Sequence, residues 1–145
     1  MLEVKNLYKS YKVGSKNYPV LQGVDVNIQK GEFVSVMGPS GSGKTTLLNC
    51  ISNFIPYESG EVILNGENME KLTEDELAIV RNEKLGFVFQ DFMLLDGLTV
   101  FMNMLKVISE KYSQTLIVVT HDESIAQLAD RVIYIRDGKI MNGVI

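Results

Sequence analysis

Gly38-Pro39-Ser40-Gly41-Ser42-Gly43-Lys44-Thr45 has the spacing G-x-x-x-x-G-K-[ST], the pattern of a loop that wraps a phosphate chain. Working outward, residues 32–37 read as a strand and residues 46–51 as the first turns of a helix. The chemistry needs a strand, a glycine-rich turn and a helix in that order, because backbone amides must converge on an anion at a helix N-terminus. Glycine at 38, 41 and 43 permits backbone angles that other residues resist and lets the main chain come close to the anion. Lys44 is expected to reach the β and γ phosphates of a nucleotide, and the Thr45 hydroxyl to ligate Mg²⁺. Ser40, Ser42 and Thr46 complete the set expected around the phosphates. The plainer alternative is a surface turn that happens to hold a lysine. The flanking strand and helix argue against it.

At 145 residues, 46% hydrophobic and 22% charged, the chain is sized for one domain with its own core. The net charge is −4 and there is no lysine or arginine run, which argues against a nucleic-acid partner. A single cysteine, Cys50, leaves no intramolecular disulfide and suits a reducing cytoplasm. The opening residues lack the organisation of a signal peptide, and no apolar run is long enough to span a bilayer. Any membrane role is therefore expected to come through a partner chain, without direct insertion.

Residues 2–11 and 20–28 read as strands joined by a polar loop through Gly14-Ser15-Lys16-Asn17. Val24, Val26 and Ile28 alternate with Asp25 and Asn27, the period of a half-buried antiparallel strand. Ser59-Gly60 is expected to turn into a strand over 61–64, followed by the tight turn Asn65-Gly66. Thr73-Glu74-Asp75-Glu76 predicts a capping box that opens a short helix toward Arg81. Residues 85–90 form a strand ending in the amide of Gln90, and residues 102–112 an amphipathic helix. The apolar run 115–120 predicts a strand buried on both faces of a parallel sheet. Residues 122–128 read as helix, 131–135 as a strand, and Asp137-Gly138 as the turn into a last short strand over 139–141. The predicted class is α/β: a P-loop core with a mostly parallel sheet and flanking helices, plus an N-terminal antiparallel β subdomain.

Several segments, in order, resemble the ATP-binding cassette (ABC) transporter ATPases, most closely the branch serving macrolide export, lipoprotein release and antimicrobial-peptide resistance. Lys9-Ser10-Tyr11 resembles the A-loop, whose aromatic ring stacks on adenine; the resemblance gives that role to Tyr11, which could also be ordinary strand packing. Gly86-Phe87-Val88-Phe89-Gln90 resembles the Q-loop, which would place the Gln90 amide on Mg²⁺ and the attacking water. Val119-Thr120-His121-Asp122 resembles the H-loop and implies a γ-phosphate contact for His121, the chain's one histidine. That histidine would polarise and orient rather than accept a proton. Asp130-Arg131-Val132 and Asp137-Gly138-Lys139-Ile140 resemble the closing strands. The resemblance implies ATP and Mg²⁺ as ligands, with Lys44, Gln90 and His121 as the residues acting on the γ-phosphate. It also implies a transmembrane permease as partner, a homodimer in the complete form, and a location on the inner face of the cell membrane.

Two family motifs are missing. The chain contains no Gly-Gly pair, hence no Leu-Ser-Gly-Gly-Gln-like signature, and no apolar strand ending in Asp-Glu precedes His121. Residues 1–145 are therefore expected to be one truncated nucleotide-binding domain, without the helical subdomain and with an internal deletion near residues 100–102. In relatives the lost Walker B strand lies between the Q-loop and H-loop strands. The expectation is then threefold: the two remaining strands pair directly, the domain is marginal, or another chain fills the slot. Turnover by this chain alone is expected to be very low, since losing a positioned base or charge stabiliser slows a reaction by about two to four orders of magnitude. The alternative reading, from another class, is a non-hydrolysing nucleotide-binding module that docks on a membrane protein. A small-metabolite kinase is disfavoured because the arginines are Arg81, Arg131 and Arg136 alone.

Overall fold

The computed structural model describes residues 1–89 and 98–141. Strands β1 (Leu2–Val13) and β2 (Lys16–Ile28) form a long antiparallel hairpin, in register from Leu2 opposite Ile28 to Val13 opposite Lys16. The ladder runs further than the sequence predicts. Gly14, at φ 62, supplies the positive backbone angle of a two-residue turn, so pairing continues through residues expected to be loop. Polarity is no obstacle there, because both faces of the hairpin tip meet water. Strand β4 (Ser59–Leu64) adds to β1 and the two-residue β5 (Glu67–Asn68) adds to β4, giving an antiparallel sheet in the order β2-β1-β4-β5. Ser59-Gly60, expected as a turn, lies inside β4. A Cβ on Gly60 would sit 2.6 Å from the Asn6 carbonyl oxygen, so only glycine lets β4 cross the irregular stretch of β1.

The second sheet is built from β3 (Phe33–Met37), β6 (Leu85–Val88), β7 (Thr115–Val119), β8 (Arg131–Arg136) and β9 (Lys139–Ile140). Its order is β6-β7-β3-β8-β9, parallel except for the final antiparallel pair. Strand β6 pairs directly with β7, Leu85 opposite Thr115 through Val88 opposite Val118. Direct pairing of these two strands was one of the expected outcomes, and among the described residues it is the arrangement seen.

Helix α1 (Lys44–Ile51) follows the glycine-rich loop. Helix α2 (Glu74–Glu83) opens on the predicted capping box: the Thr73 hydroxyl accepts from the Glu76 N–H while the Glu76 carboxylate accepts from the Thr73 N–H. Helix α3 (Leu98–Tyr112) begins four residues before the expected start, since nothing in 98–101 breaks a helix. Helix α4 (Glu123–Ala126) is shorter than expected. Leu128 and Ala129 donate to carbonyls three residues back, at Ile125 and Ala126, and this tighter pattern ends the α-helix early.

Alternation along the central strands divides the core. Val34 and Val36 of β3, with Ile117 and Val119 of β7, pack with α1 and with Leu2, Val4, Leu7, Leu21 and Val24 of the antiparallel sheet. Phe33, Leu116 and Val118 point the other way and pack with Met102 of α3 and Ile125 of α4. Burying these strands on both faces is what the unbroken apolar run at 115–119 foretells.

Candidate nucleotide cleft

Strands β3 and β7 are parallel neighbours, so the loops leaving them meet at one end of the sheet. The Thr120 N–H donates to the Val36 carbonyl (3.3 Å), which holds the segment after β7 beside the loop after β3. Between them opens a cleft of about 550 Å³ lined by Val20, Gly38, Ser40, Gly41, Gly43, Lys44, Thr45, Thr46 and His121. Open parallel sheets place ligands in such a crevice, beyond the carboxyl ends of the strands.

Residues 38–45 fold as a compact turn. The Ser42 N–H donates to the Pro39 carbonyl (3.2 Å) and the Leu47 N–H to the Gly43 carbonyl (2.8 Å), which starts α1. Gly38 lies at φ 154, and a Cβ there would stand 2.1 Å from the Ile135 carbonyl oxygen. Gly43, at φ 102, ends the turn as the N-cap of α1, with no side chain capping the helix and no acidic residue in its first turn. The helix therefore presents unsatisfied N–H groups and the positive end of its dipole to the cleft. Lys44 is buried apart from its approach to the loop, and its Nζ donates to the carbonyls of Gly38 (2.8 Å) and Pro39 (2.7 Å). Burial pushes the Lys44 pKa down, and the two carbonyls hold the charged head over the mouth of the turn. The Ser42 hydroxyl is buried without a hydrogen-bond partner. Donors, dipole and ammonium converge with no acid among the described lining residues, and this fits a phosphate chain.

The cradle is supported from behind by residues to which sequence analysis assigns no part in it. The turn between β8 and β9 rests on it: the Gly138 N–H donates to the Ser42 carbonyl (3.1 Å), and the Gln22 N–H donates to the Gly138 carbonyl (2.9 Å). The Gln22 side chain donates to the Asp137 carbonyl (3.0 Å). A Cβ on Gly138 would lie 2.3 Å from the Val20 carbonyl oxygen, and Val20 itself walls the cleft. Asp137-Gly138 was legible as a turn; its landing place was not.

Of the other predicted site residues, His121 lines the cleft and is exposed there. Thr45 is exposed toward it, while Ser42 lies buried beneath the turn. Tyr11 is absent from the lining. It sits on the outer hairpin opposite Tyr18, 41% exposed, with the Lys9 ammonium 5.2 Å from its ring centre. Gln90 lies outside the described residues. Among the described residues no group of three or more His, Cys, Asp or Glu could hold a metal unaided. Of the residues expected at Mg²⁺, Thr45 lines the cleft and Gln90 is not among the described residues. Asp122 is spoken for: its carboxylate caps α4 by accepting from the Ser124 hydroxyl (2.6 Å) and N–H (2.8 Å), and these bonds push its pKa down.

The ABC transporter family model matches residues 21–141, from the wall of the cleft to the end of the closing hairpin. The chain belongs to the ABC transporter family. It is 52% identical over 105 residues to the ABC transporter ATP-binding protein YxdL of Bacillus subtilis, a match covering 72% of this chain and 40% of that protein. It is 49% identical over 105 residues to the bacitracin export ATP-binding protein BceA of Halalkalibacterium halodurans, covering 72% of this chain and 42% of that one. The chain thus spans about two-fifths of the curated relatives it matches. Among solved structures, the dimeric ATP-binding cassette MJ0796 superposes with a TM-score of 0.82 at 28% identity, covering 98% of this chain and 97% of the other. The α/β architecture is therefore that of a cassette ATPase.

Proposed function

We propose that this chain is the ATP-binding subunit of an ABC transporter, taking up Mg-ATP in the cleft and serving a transmembrane permease from the cytoplasmic side. The observation that carries the reading is the turn at 38–45, with three glycines at positive φ, an uncapped helix start and Lys44 Nζ held over it, facing His121. In this reading backbone N–H groups of 41–46 hold the phosphates, Lys44 leaves its two carbonyls to meet the β and γ oxygens, and the Thr45 hydroxyl ligates Mg²⁺. His121 contacts the γ-phosphate from the opposite wall and Gln90 joins Mg²⁺ and water. Bound Mg-ATP would supply the transferable phosphoryl group and the metal charge that neutralises it. Tyr11 stacks on adenine: Val20 walls the cleft, and the Tyr11–Tyr18 pair lies one step further out along the same hairpin.

We also propose that the chain is one nucleotide-binding domain with an internal deletion near 100–102. The sequence match of 103 residues makes up 44% of Methanocaldococcus jannaschii MJ0796, yet the superposition runs over 97% of the MJ0796 chain in the solved structure. The difference in length then falls inside the superposed span, which supports a loss between β6 and β7 rather than at an end. Hydrolysis is impaired because no apolar strand ending in Asp-Glu precedes His121 to supply a water-orienting carboxylate.

Thermal unfolding with and without Mg-ATP tests the binding. At about a hundredfold over the dissociation constant, stabilisation of roughly 2.7 kcal/mol is expected, and none for Lys44→Ala. Absence of any shift in the wild-type chain would defeat the nucleotide reading. A phosphate-release assay tests the second part: rates near background are expected, and vigorous turnover lost in Lys44→Ala would refute impaired hydrolysis. The non-hydrolysing docking module is favoured instead if a permease captures the chain equally with and without ATP. The metabolite-kinase reading loses further ground. Arg131 is tied to Glu32 (2.7 Å) and the Asn27 carbonyl, and Arg81 to the Ser52 carbonyl (3.3 Å) and the Phe54 ring.

A further inference from the structure

Apolar side chains on a helix ordinarily mark the face that is covered, and α3 carries them on its outer side as well as its inner one. Its inner side is covered by its own chain. Met102 and Ser109 are buried, Leu105 packs on the Phe33, Leu116 and Val118 cluster, and the Lys106 ammonium donates to the Leu128 carbonyl (2.8 Å). The outer side carries Val100, Phe101, Met104, Val107, Ile108 and Tyr112, which are 37–73% exposed. Spacings of four, seven, eight and twelve from residue 100 place 104, 107, 108 and 112 on a single stripe with it, roughly 18 Å long, and Phe101 flanks it. Together they offer on the order of 600 Å² of surface, the upper end of what one patch on a typical monomer shows.

We propose that this face of α3 pairs with the same face of a second copy of the chain, antiparallel across a two-fold axis and without nucleotide. Two such faces in contact bury about 1,200 Å², the lower bound of a specific interface, so helix against helix reaches the threshold with no other partner. The geometry is self-complementary. With the axis near residue 106, Val100 meets the region of Tyr112 and Met104 meets Ile108, while Val107 lies beside the axis and Phe101 falls opposite Lys111. Charge agrees with this. The exposed ionic groups on α3 are Glu110 and Lys111, adjacent and opposite in sign at one end of the stripe. The face is neutral although the whole chain carries −4, and two copies meet there without repulsion. An anionic membrane surface would call for a lysine- and arginine-rich flank, which this stripe does not have.

Sedimentation equilibrium of the whole chain, up to about 100 μM and without nucleotide, tests the proposal. A monomer–dimer equilibrium is expected, unchanged by Mg-ATP and retained in Lys44→Ala, so its fate is separate from that of the nucleotide reading. Met104→Glu with Val107→Glu should weaken association by at least about tenfold. Both sites are exposed, so the melting temperature of the diluted protein should hold. Val107→Cys gives a second readout, since Cys50 is buried: a disulfide-linked dimer should form on mild oxidation. A monomer at every concentration overturns the proposal, as does a dimer indifferent to both glutamates. Cosedimentation of monomer with phosphatidylglycerol vesicles, lost in the double glutamate variant, would assign the face to a lipid surface and overturn it equally.

Discussion

The thiol of Cys50 lies within α1 with no exposed surface, and burial pushes its pKa up to about 11 from an ordinary value of 9.0. Tyr57 is pushed up to about 12 from 10.0, first by burial and then by the nearby Glu70 carboxylate. Unfolding releases both groups to their ordinary values, so above pH 9 the unfolded chain binds fewer protons than the folded one. The stability these groups contribute is full below that point. It declines as pH rises from 9 through 11 for Cys50 and from 10 through 12 for Tyr57. Melting temperatures followed by circular dichroism should fall across that window, and Cys50→Ala should flatten the part between 9 and 11. A profile unchanged by that substitution would show that the thiol is not the sensor. At the cleft, a motif states its own spacing, and Gly38, Gly41, Gly43, Lys44 and Thr45 do lie together along the lining of the cleft. Ser42 was also expected around the phosphates; its hydroxyl lies buried beside the glycine at 38, so any contact it makes there would be through its backbone N–H.

At the scale of an element, two turns of similar size are expected to respond differently. Thr73 caps α2 at the surface and is not among the residues lining the cleft. Thr73→Ala should lower stability by about 1 kcal/mol and leave Mg-ATP affinity unchanged. Gly138 stands at φ 73 with the Val20 carbonyl where a Cβ would go, and its N–H holds the Ser42 carbonyl. Gly138→Ala should therefore destabilise by more than the loss of a cap and also weaken Mg-ATP binding, because the cradle loses its rear support. Calorimetric titration of both variants decides the matter. Equal affinities would reduce the hairpin to a passive closure. The capping box could be read directly from four consecutive residues. The hairpin's task could not, since it joins Gly138 to Gln22 and Ser42, which are distant in sequence.

Across the whole molecule, one apolar cluster runs from the antiparallel sheet through α1 to the inner face of the parallel sheet. Leu7→Ala in β1 and Val119→Ala in β7 should then lower the same single unfolding transition, the leucine change by roughly 2–5 kcal/mol. Two separate transitions by calorimetry would mean that the sheets unfold as independent units. The sequence by itself determined the classes of the elements and the phosphate-binding turn, because periodicity, glycine placement and capping are interactions among near neighbours. It also contains no apolar strand ending in Asp-Glu before His121. What it left open, the tertiary structure decided: β6 closes directly on β7, the turn at 137–138 braces the loop at 38–45, and α3 keeps a wide apolar side uncovered by its own sheet. Each of these depends on which distant surfaces meet, and that is set by the free energy of packing the whole chain rather than by any local stretch of it.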